Sequence, residues 1–197
     1  MNFEQLIIKN RSYRRFDHSG PVGMDTLAAL VDIARRTPSA ANRQPLKYVL
    51  VADEAGCARL FPFTRWGGSL KGWGGPTENE RPTAYTIVLG DREISKDAVV
   101  NMDCGIACQS MLLAAAERGL GGCMLGAIDR DGIRKTFAIP ERFDILLVVA
   151  LGVPAEQCVI VDAKPGGDVT YFRTPDGVHH VPKRPLSEIV LEFNAAP

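Results

Sequence analysis

The chain has 197 residues, 46% apolar and 23% charged, with a formal net charge of zero at neutral pH. That length carries one ordinary domain with a sizeable core, and the composition is that of a soluble globular chain. The balanced charge excludes a fold-wide basic footprint for nucleic acid.

Asn2 is placed to cap a first helix, with Gln5 at the capping-box position. Phe3, Leu6 and Ile7 form its inward face. Glu4 and Lys9 break any apolar run, so no secretory leader is read here. As the helix ends, Arg11-Ser12-Tyr13-Arg14-Arg15-Phe16 gathers guanidiniums and a hydroxyl. Guanidinium forks match phosphate oxygens bidentately, which suits a phosphorylated ligand. Alone, such a cluster is equally the composition of a solvated turn. Pro21-Val22-Gly23 reads as a turn, and Asp25 is placed to cap a second helix. Leu27, Leu30, Val31 and Ala34 give that helix its apolar stripe, and Pro38 stops it. Pro38-Ser39-Ala40-Ala41-Asn42-Arg43-Gln44-Pro45 follows. Its small residues let backbone approach a flat ligand, and its amides read donors and acceptors alike.

Tyr48 to Val51 reads as a buried strand. From Asp53 to Pro82 the pattern breaks repeatedly, at Gly67, Gly68, Gly72, Gly74, Gly75 and Pro76. A short helix near Cys57–Leu60 and then an irregular loop are predicted. So long a loop inside a compact domain is often functional, as a cover over a ligand or a contact to substrate. Ala84 to Leu89 is a second strand. Asp97 to Arg118 is a long helix closed by Gly119. It is apolar nearly all round, so it needs cover on two sides, and a partner subunit is the natural second cover. Its longest apolar stretch, Ile106 to Ala116, is too short to span a membrane and contains Gln109.

Gly121 to Gly126 reads as a turn and a strand. It is no dinucleotide fingerprint, because it follows a helix and lacks the glycine spacing. Asp129 caps a short helix through Phe137, closed by Pro140. Ile145 to Leu151 is an unbroken apolar run, a central strand covered on both faces. Val169–Arg173 and Val178–Val181 flank Thr174-Pro175-Asp176-Gly177, a hairpin signal. Lys183-Arg184-Pro185 precedes a last helix with Leu186, Ile189, Val190 and Phe193 on one face. No internal repeat divides the chain, which reads as a single domain over 1–197.

The five cysteines are odd in number and lack paired spacing, which argues against a disulfide framework. Buried thiols in a reducing cytoplasm are the expectation. His179 and His180 fall on opposite faces of a strand, so they cannot share a metal ion. With only three histidines, no nucleophilic triad stands out, and no catalytic acid or base is assigned.

The order and spacing of the two polar motifs resemble the nitroreductase family of FMN-dependent oxidoreductases. Arg11, Ser12, Arg14 and Phe16 match the family's Arg-Ser-x-Arg-x-Phe. Pro38, Ser39, Asn42, Gln44 and Pro45 match its Pro-Ser-x-x-Asn-x-Gln-Pro. The resemblance runs from Met1 to about Asn194 and is loosest between Asp53 and Pro82. It implies an α+β fold: a central mixed sheet with helices on both faces, in a homodimer with two flavins at its interface. It also implies that Arg11 and Ser12 hold the ribityl phosphate, and that Arg14 lies by the flavin N1–C2 edge. A cation there stabilises the charge of the reduced flavin. Pro38, Ser39, Ala40, Asn42 and Gln44 belong to the loop that in relatives packs on the flavin from the other subunit. Gly121 and Gly122 match the turn that presents a backbone N–H to flavin N5. Lys183 and Arg184 resemble a basic pair that returns to the phosphate, with the contacting residue left open. Asn10 stands where many relatives carry a basic residue.

The implied activity takes hydride from NADH or NADPH, through flavin N5, to a small organic acceptor by ping-pong kinetics. That acceptor is a nitroaromatic, a quinone, a free flavin or an enal. A flavin sensor or carrier without turnover is the alternative, as are the dehalogenases and flavin-fragmenting enzymes of the same fold. Neither nucleic acid nor membrane is an expected partner.

Overall fold

The computed structural model describes residues 1–191; Phe193 of the expected last helix lies outside them. The chain gathers into two compact units. The larger holds Met1–Trp66 and Gly74–Ala155; the smaller holds Gly67–Trp73 and the chain from Glu156 onward.

The larger unit contains helices α1 (Phe3–Lys9), α2 (Met24–Ala34), α3 (Glu54–Leu60), α4 (Val99–Glu117) and α5 (Arg130–Thr136). Its strands are β1 (Phe16–Asp17), β2 (Leu46–Val51), β3 (Ala84–Asp91), β4 (Gly121–Leu125) and β5 (Phe143–Pro154). Local chemistry sets most of the ends. Asn2 and Gln5 close a reciprocal capping box on α1. Asp53 and Asp129 each accept a backbone N–H in the first turn of α3 and α5. At α2 the cap is Gly23, with no side-chain bond; Asp25 instead sits inside the first turn, where its charge favours the helix dipole. Gly119, at φ +78°, ends α4. The N–H groups of Leu120 and Gly119 return to the carbonyls of Ala115 and Ala116, a Schellman closure.

Strand β5 is the axis of the sheet. It pairs with β3 along Phe143–Leu151, with β4 along Val148–Gly152, and with β1 at Val153 and Pro154. β2 closes the far side against β3. Every one of these pairs is antiparallel, which corrects the mixed sheet expected from the sequence. The crossover through α4 does leave β3 and β4 running the same way. β5, however, inserts between them in the opposite direction. Within this unit the parallel element is the isolated bridge Ser12–Gly122.

Helices α2 and α4 cover one face of the sheet. Leu27, Leu30, Cys108, Met111 and Leu112 pack there with Ala84, Val88, Val149 and Leu151. A fully buried side chain such as Leu27 contributes about 1.5–3 kcal/mol. Strand alternation sends Tyr85 and Ile87 to the opposite face, where both are fully buried. By length and composition α4 could cross a membrane. Here its apolar side chains fill the core between α2 and the sheet, while Met102 and Gln109 stay exposed. The chain itself therefore covers α4 on one side.

The smaller unit carries β6 (Cys158–Asp162), β7 (Phe172–Arg173), β8 (His179–Lys183) and the short helix α6 (Leu186–Ile189). β7 and β8 form the expected hairpin, with Gly177 at φ +88° in its turn. The first strand is shorter than the sequence suggests. Asp168 accepts from both the N–H and the hydroxyl of Thr170, a local turn that competes with the ladder. β6 pairs parallel with β8 and was not expected. His179 is buried beside Tyr171, while His180 stacks on Phe172 at 4.8 Å. The described residues contain no cluster of metal-binding side chains.

Candidate functional site

The Arg11–Arg15 segment leaves α1 and runs beside β4. Ser12 bridges Gly122, and the Tyr13 N–H donates to the Gly122 carbonyl at 3.0 Å. Two motifs far apart in the chain thus become neighbours through backbone hydrogen bonds. The Tyr13 hydroxyl donates to the Lys9 carbonyl at 2.9 Å and ties the segment back to α1.

Arg11 Nη2 donates to the Ile7 carbonyl at 2.7 Å. Its Nε is buried and has no hydrogen-bond partner among the described residues. Arg14 Nη1 donates to the Ser12 carbonyl at 3.1 Å. Asn10 is buried, and its side-chain amide donates to Gln109 Oε1 of α4 at 3.4 Å.

Gly121 and Gly122 lie in the β4 ladder, which corrects the expected turn. Their lack of a Cβ has a cause inside the chain. On Gly121 that atom would meet the Tyr13 ring at 2.5 Å and Pro154 at 2.6 Å. On Gly122 it would meet the Ala150 carbonyl at 2.4 Å and Leu112 at 2.6 Å. The glycines let β4 seat under the Arg-Ser segment and against α4.

The Pro38–Pro45 loop is held from α4. Ser39 Oγ donates to Asp103 Oδ2 at 2.6 Å, and the Ala40 N–H donates to Asp103 Oδ1 at 3.0 Å. The Gln44 N–H then donates to Ser39 Oγ at 3.0 Å, and Gln44 Nε2 to Asn42 Oδ1 at 3.1 Å. Ala41, Asn42 and Gln44 all have φ near +50°. Non-glycine residues in that region cost on the order of 1–3 kcal/mol each, and such strain concentrates at functional sites. Arg43 pairs with Asp97 at 2.7 Å at the loop's outer side.

Asp103 is the residue that sequence reading missed. It is 4% exposed, and no other charged residue lies in α4 before Glu117; that isolation was the available signal. A cavity of about 250 Å³ adjoins it, lined by Pro38, Ser39, Gln44 and Tyr48. Burial, reinforced by Cys108 and Cys104, holds the Tyr48 hydroxyl protonated. Cys104 and Cys108 sit 3.9 Å apart at their sulfurs; that hydrogen bond, and then burial, keep Cys108 a thiol.

Helix α4 therefore serves three segments along its length: Ser39 at Asp103, Asn10 at Gln109 and Gly122 beside Leu112. At 1.5 Å per residue, the loop and the Arg-Ser segment attach roughly 9–14 Å apart along its axis. Lys183 and Arg184 belong to the smaller unit. Lys183 is exposed at the end of β8, and Arg184 pairs with Glu188 at 3.1 Å.

This architecture, an antiparallel sheet with a long core helix and a glycine strand under an Arg-Ser segment, defines the class of the chain. The nitroreductase family model matches residues 7–153, and the chain belongs to that family. A Methanothermobacter thermautotrophicus protein, provisionally named NADH dehydrogenase/NAD(P)H nitroreductase, is 30% identical over 162 residues, 80% of each chain. The nitroreductase family protein of Streptococcus pneumoniae has a similar fold, with a TM-score of 0.70 and 17% identity over 98% of this chain and all of that one. A provisionally named nitroreductase from Exiguobacterium sibiricum, solved in complex with FMN, aligns with a TM-score of 0.64 and 17% identity, covering 79% and 90% of the two chains.

Proposed function

We propose that this chain is an FMN-dependent NAD(P)H oxidoreductase that works as a cytoplasmic homodimer. The observation that carries the reading is the seat of Ser12 on Gly122, with the buried Arg11 Nε beside it still without a partner. An N–H donor buried unpaired costs about 1–3 kcal/mol, which a phosphate oxygen would recover. The residues present thus fit a phosphate-bearing group, and FMN is what the Exiguobacterium sibiricum protein holds.

FMN, when bound, accepts hydride from NAD(P)H and passes it to a small organic acceptor. The protein's part is to bind and orient. Arg11 and Ser12 would take the phosphate. Arg14, turned back onto the Ser12 carbonyl, would bring positive charge to the flavin edge. The Pro38–Pro45 loop, set by Asp103, would cover the flavin of the partner subunit. The assignment of Lys183 or Arg184 to the phosphate rests on the resemblance alone. Exposed Phe3, Ile8 and Met102 on the two helices that meet beside Asn10 support a dimer, because a partner would cover them. None of the five cysteines is joined in a disulfide, which suits a reducing compartment.

The purified protein should be yellow and release FMN on heating. It should oxidise NADH or NADPH faster than free FMN does, and sediment as a dimer at micromolar concentration. Chromatography of the released chromophore decides the first point: FAD, or no flavin, overturns the reading. A turnover rate equal to that of free FMN would reduce the protein to a flavin carrier.

A further inference from the structure

On the other face of the sheet from α4 lies a second cavity, of about 470 Å³. That volume is in the range of small-ligand sites. It shares no lining residue with the Arg11, Ser39 or Gly122 segments. Its walls come from α3, from the chain at Glu78–Thr83 and from Tyr85 of β3. Phe61, Pro21, Pro82, Ala52 and Ala58 make much of the lining apolar.

Two polar groups in this lining are unspent. Tyr85 is fully buried, and its hydroxyl has no hydrogen-bond partner among the described residues. Arg81 Nε is likewise buried without a partner. The Arg81 guanidinium lies over the Phe61 ring, 4.1 Å from its centroid. No carboxylate lies within ion-pair distance of Arg81 among the described residues. Burial holds the Tyr85 hydroxyl protonated, with Cys57 adding to the shift and Arg81 opposing it, so that group donates. The neighbouring Cys57 is occupied: its thiol donates to the Thr83 carbonyl at 3.4 Å, and burial pushes it up to about 11.

A neutral hydroxyl donor beside a half-buried, unpaired guanidinium calls for an acceptor that carries negative charge. The aromatic and proline walls call for an apolar body. Exposed Glu54 and Glu78 stand at the rim with His18. Their charge is screened by solvent but still disfavours ligands of more than one negative charge. We propose that this cavity is a binding site for a small monocarboxylate with an aromatic or branched aliphatic body, its carboxylate received by Arg81 and Tyr85. The proposal stands apart from the flavin reading, since it uses none of the same residues.

Benzoate is the probe. Isothermal titration calorimetry on the protein as purified, with FMN saturating, should show one benzoate site that inorganic phosphate does not displace. Tyr85→Phe and Arg81→Gln should each weaken that binding at least tenfold. Tyr85→Phe removes only an unpaired hydroxyl, so its melting temperature should stay at or above that of the parent. If Arg81→Gln fails to fold, Tyr85→Phe alone decides. Absence of benzoate binding overturns the proposal, as does equal affinity in parent and variants. Benzoate that perturbs the flavin absorbance, with unchanged affinity in both variants, is bound at the flavin instead and likewise overturns it. A lower melting temperature in Tyr85→Phe would mean that the hydroxyl is already satisfied within the fold, which also defeats the proposal.

Discussion

Ser39 and Asp103 are 64 residues apart in sequence and meet through a 2.6 Å hydrogen bond from Oγ to Oδ2. The same carboxylate takes the Ala40 N–H, and the same hydroxyl takes the Gln44 N–H. One buried acid thereby fixes both ends of a loop whose backbone is strained at three positions. Hydrogen bonds to a charged group are worth about 1.5–3 kcal/mol, enough to offset much of that strain.

Asp103→Asn is the corresponding test. It keeps the volume but removes the charge and one acceptor. Flavin affinity should fall by about tenfold or more, since 1.4 kcal/mol is a factor of about ten. Far-ultraviolet circular dichroism should show the helices intact. An unchanged FMN dissociation constant in a fluorescence titration would remove the loop from the flavin site.

Arg14 and Arg11 should separate in their effects. A cation at the flavin edge favours the charged, reduced form, so Arg14→Met should lower the midpoint potential. A loss of about 1.5–3 kcal/mol, at roughly 30 mV per 1.4 kcal/mol for two electrons, gives about 30–60 mV. Arg11→Met should mainly loosen FMN, because phosphate charge does not change on reduction. Spectroelectrochemistry at saturating FMN reads both, and a parental potential in Arg14→Met refutes that residue's role.

Gly122→Ala should damage the fold independently of any ligand. Its Cβ would stand 2.4 Å from the Ala150 carbonyl in the central ladder. Overpacking of this kind costs roughly 1–3 kcal/mol. Gly126→Ala, where a Cβ meets nothing within 4 Å, is the control. Denaturant midpoints should drop for the first and hold for the second.

Asp91 should contribute to the acid sensitivity of the fold. This buried carboxylate receives Nε and Nη2 of Arg142 at 2.8 and 2.6 Å. Those bonds hold it below its ordinary value of 3.8. A group depressed in the folded state stabilises fully above its unfolded pKa and loses that contribution as pH falls through the folded one. Stability should therefore decline below about pH 4, and Asp91→Asn should flatten that decline. Urea midpoints measured from pH 6 to pH 3 would show it. A parallel decline in both proteins would assign it to other carboxylates.

Several features needed only the neighbouring few residues. The capping box of Asn2 and Gln5, the closure of α4 at Gly119, and the apolar stripe of α2 each follow from spacing within a turn or two. The two motifs at Arg11 and Pro38 were legible as well, because their chemistry lies in consecutive side chains.

Asp25 shows where local reading slips: a carboxylate two residues past Gly23 serves the dipole equally well without capping. β6 escaped notice because a five-residue strand finds its reason in β8, some 20 residues on. The all-antiparallel sheet depends on where β5 inserts, and no residue of β5 carries that information by itself. The same holds for the site. Sequence determined that an Arg-Ser segment, an amide-bearing loop and a glycine pair exist. Only tertiary structure decided that Ser12 rests on Gly122, that Asp103 holds Ser39, and that Tyr85 and Arg81 are left with donors to spend. Hydrogen bonds and burial join partners by position in space, and chain spacing beyond a few residues does not encode that position.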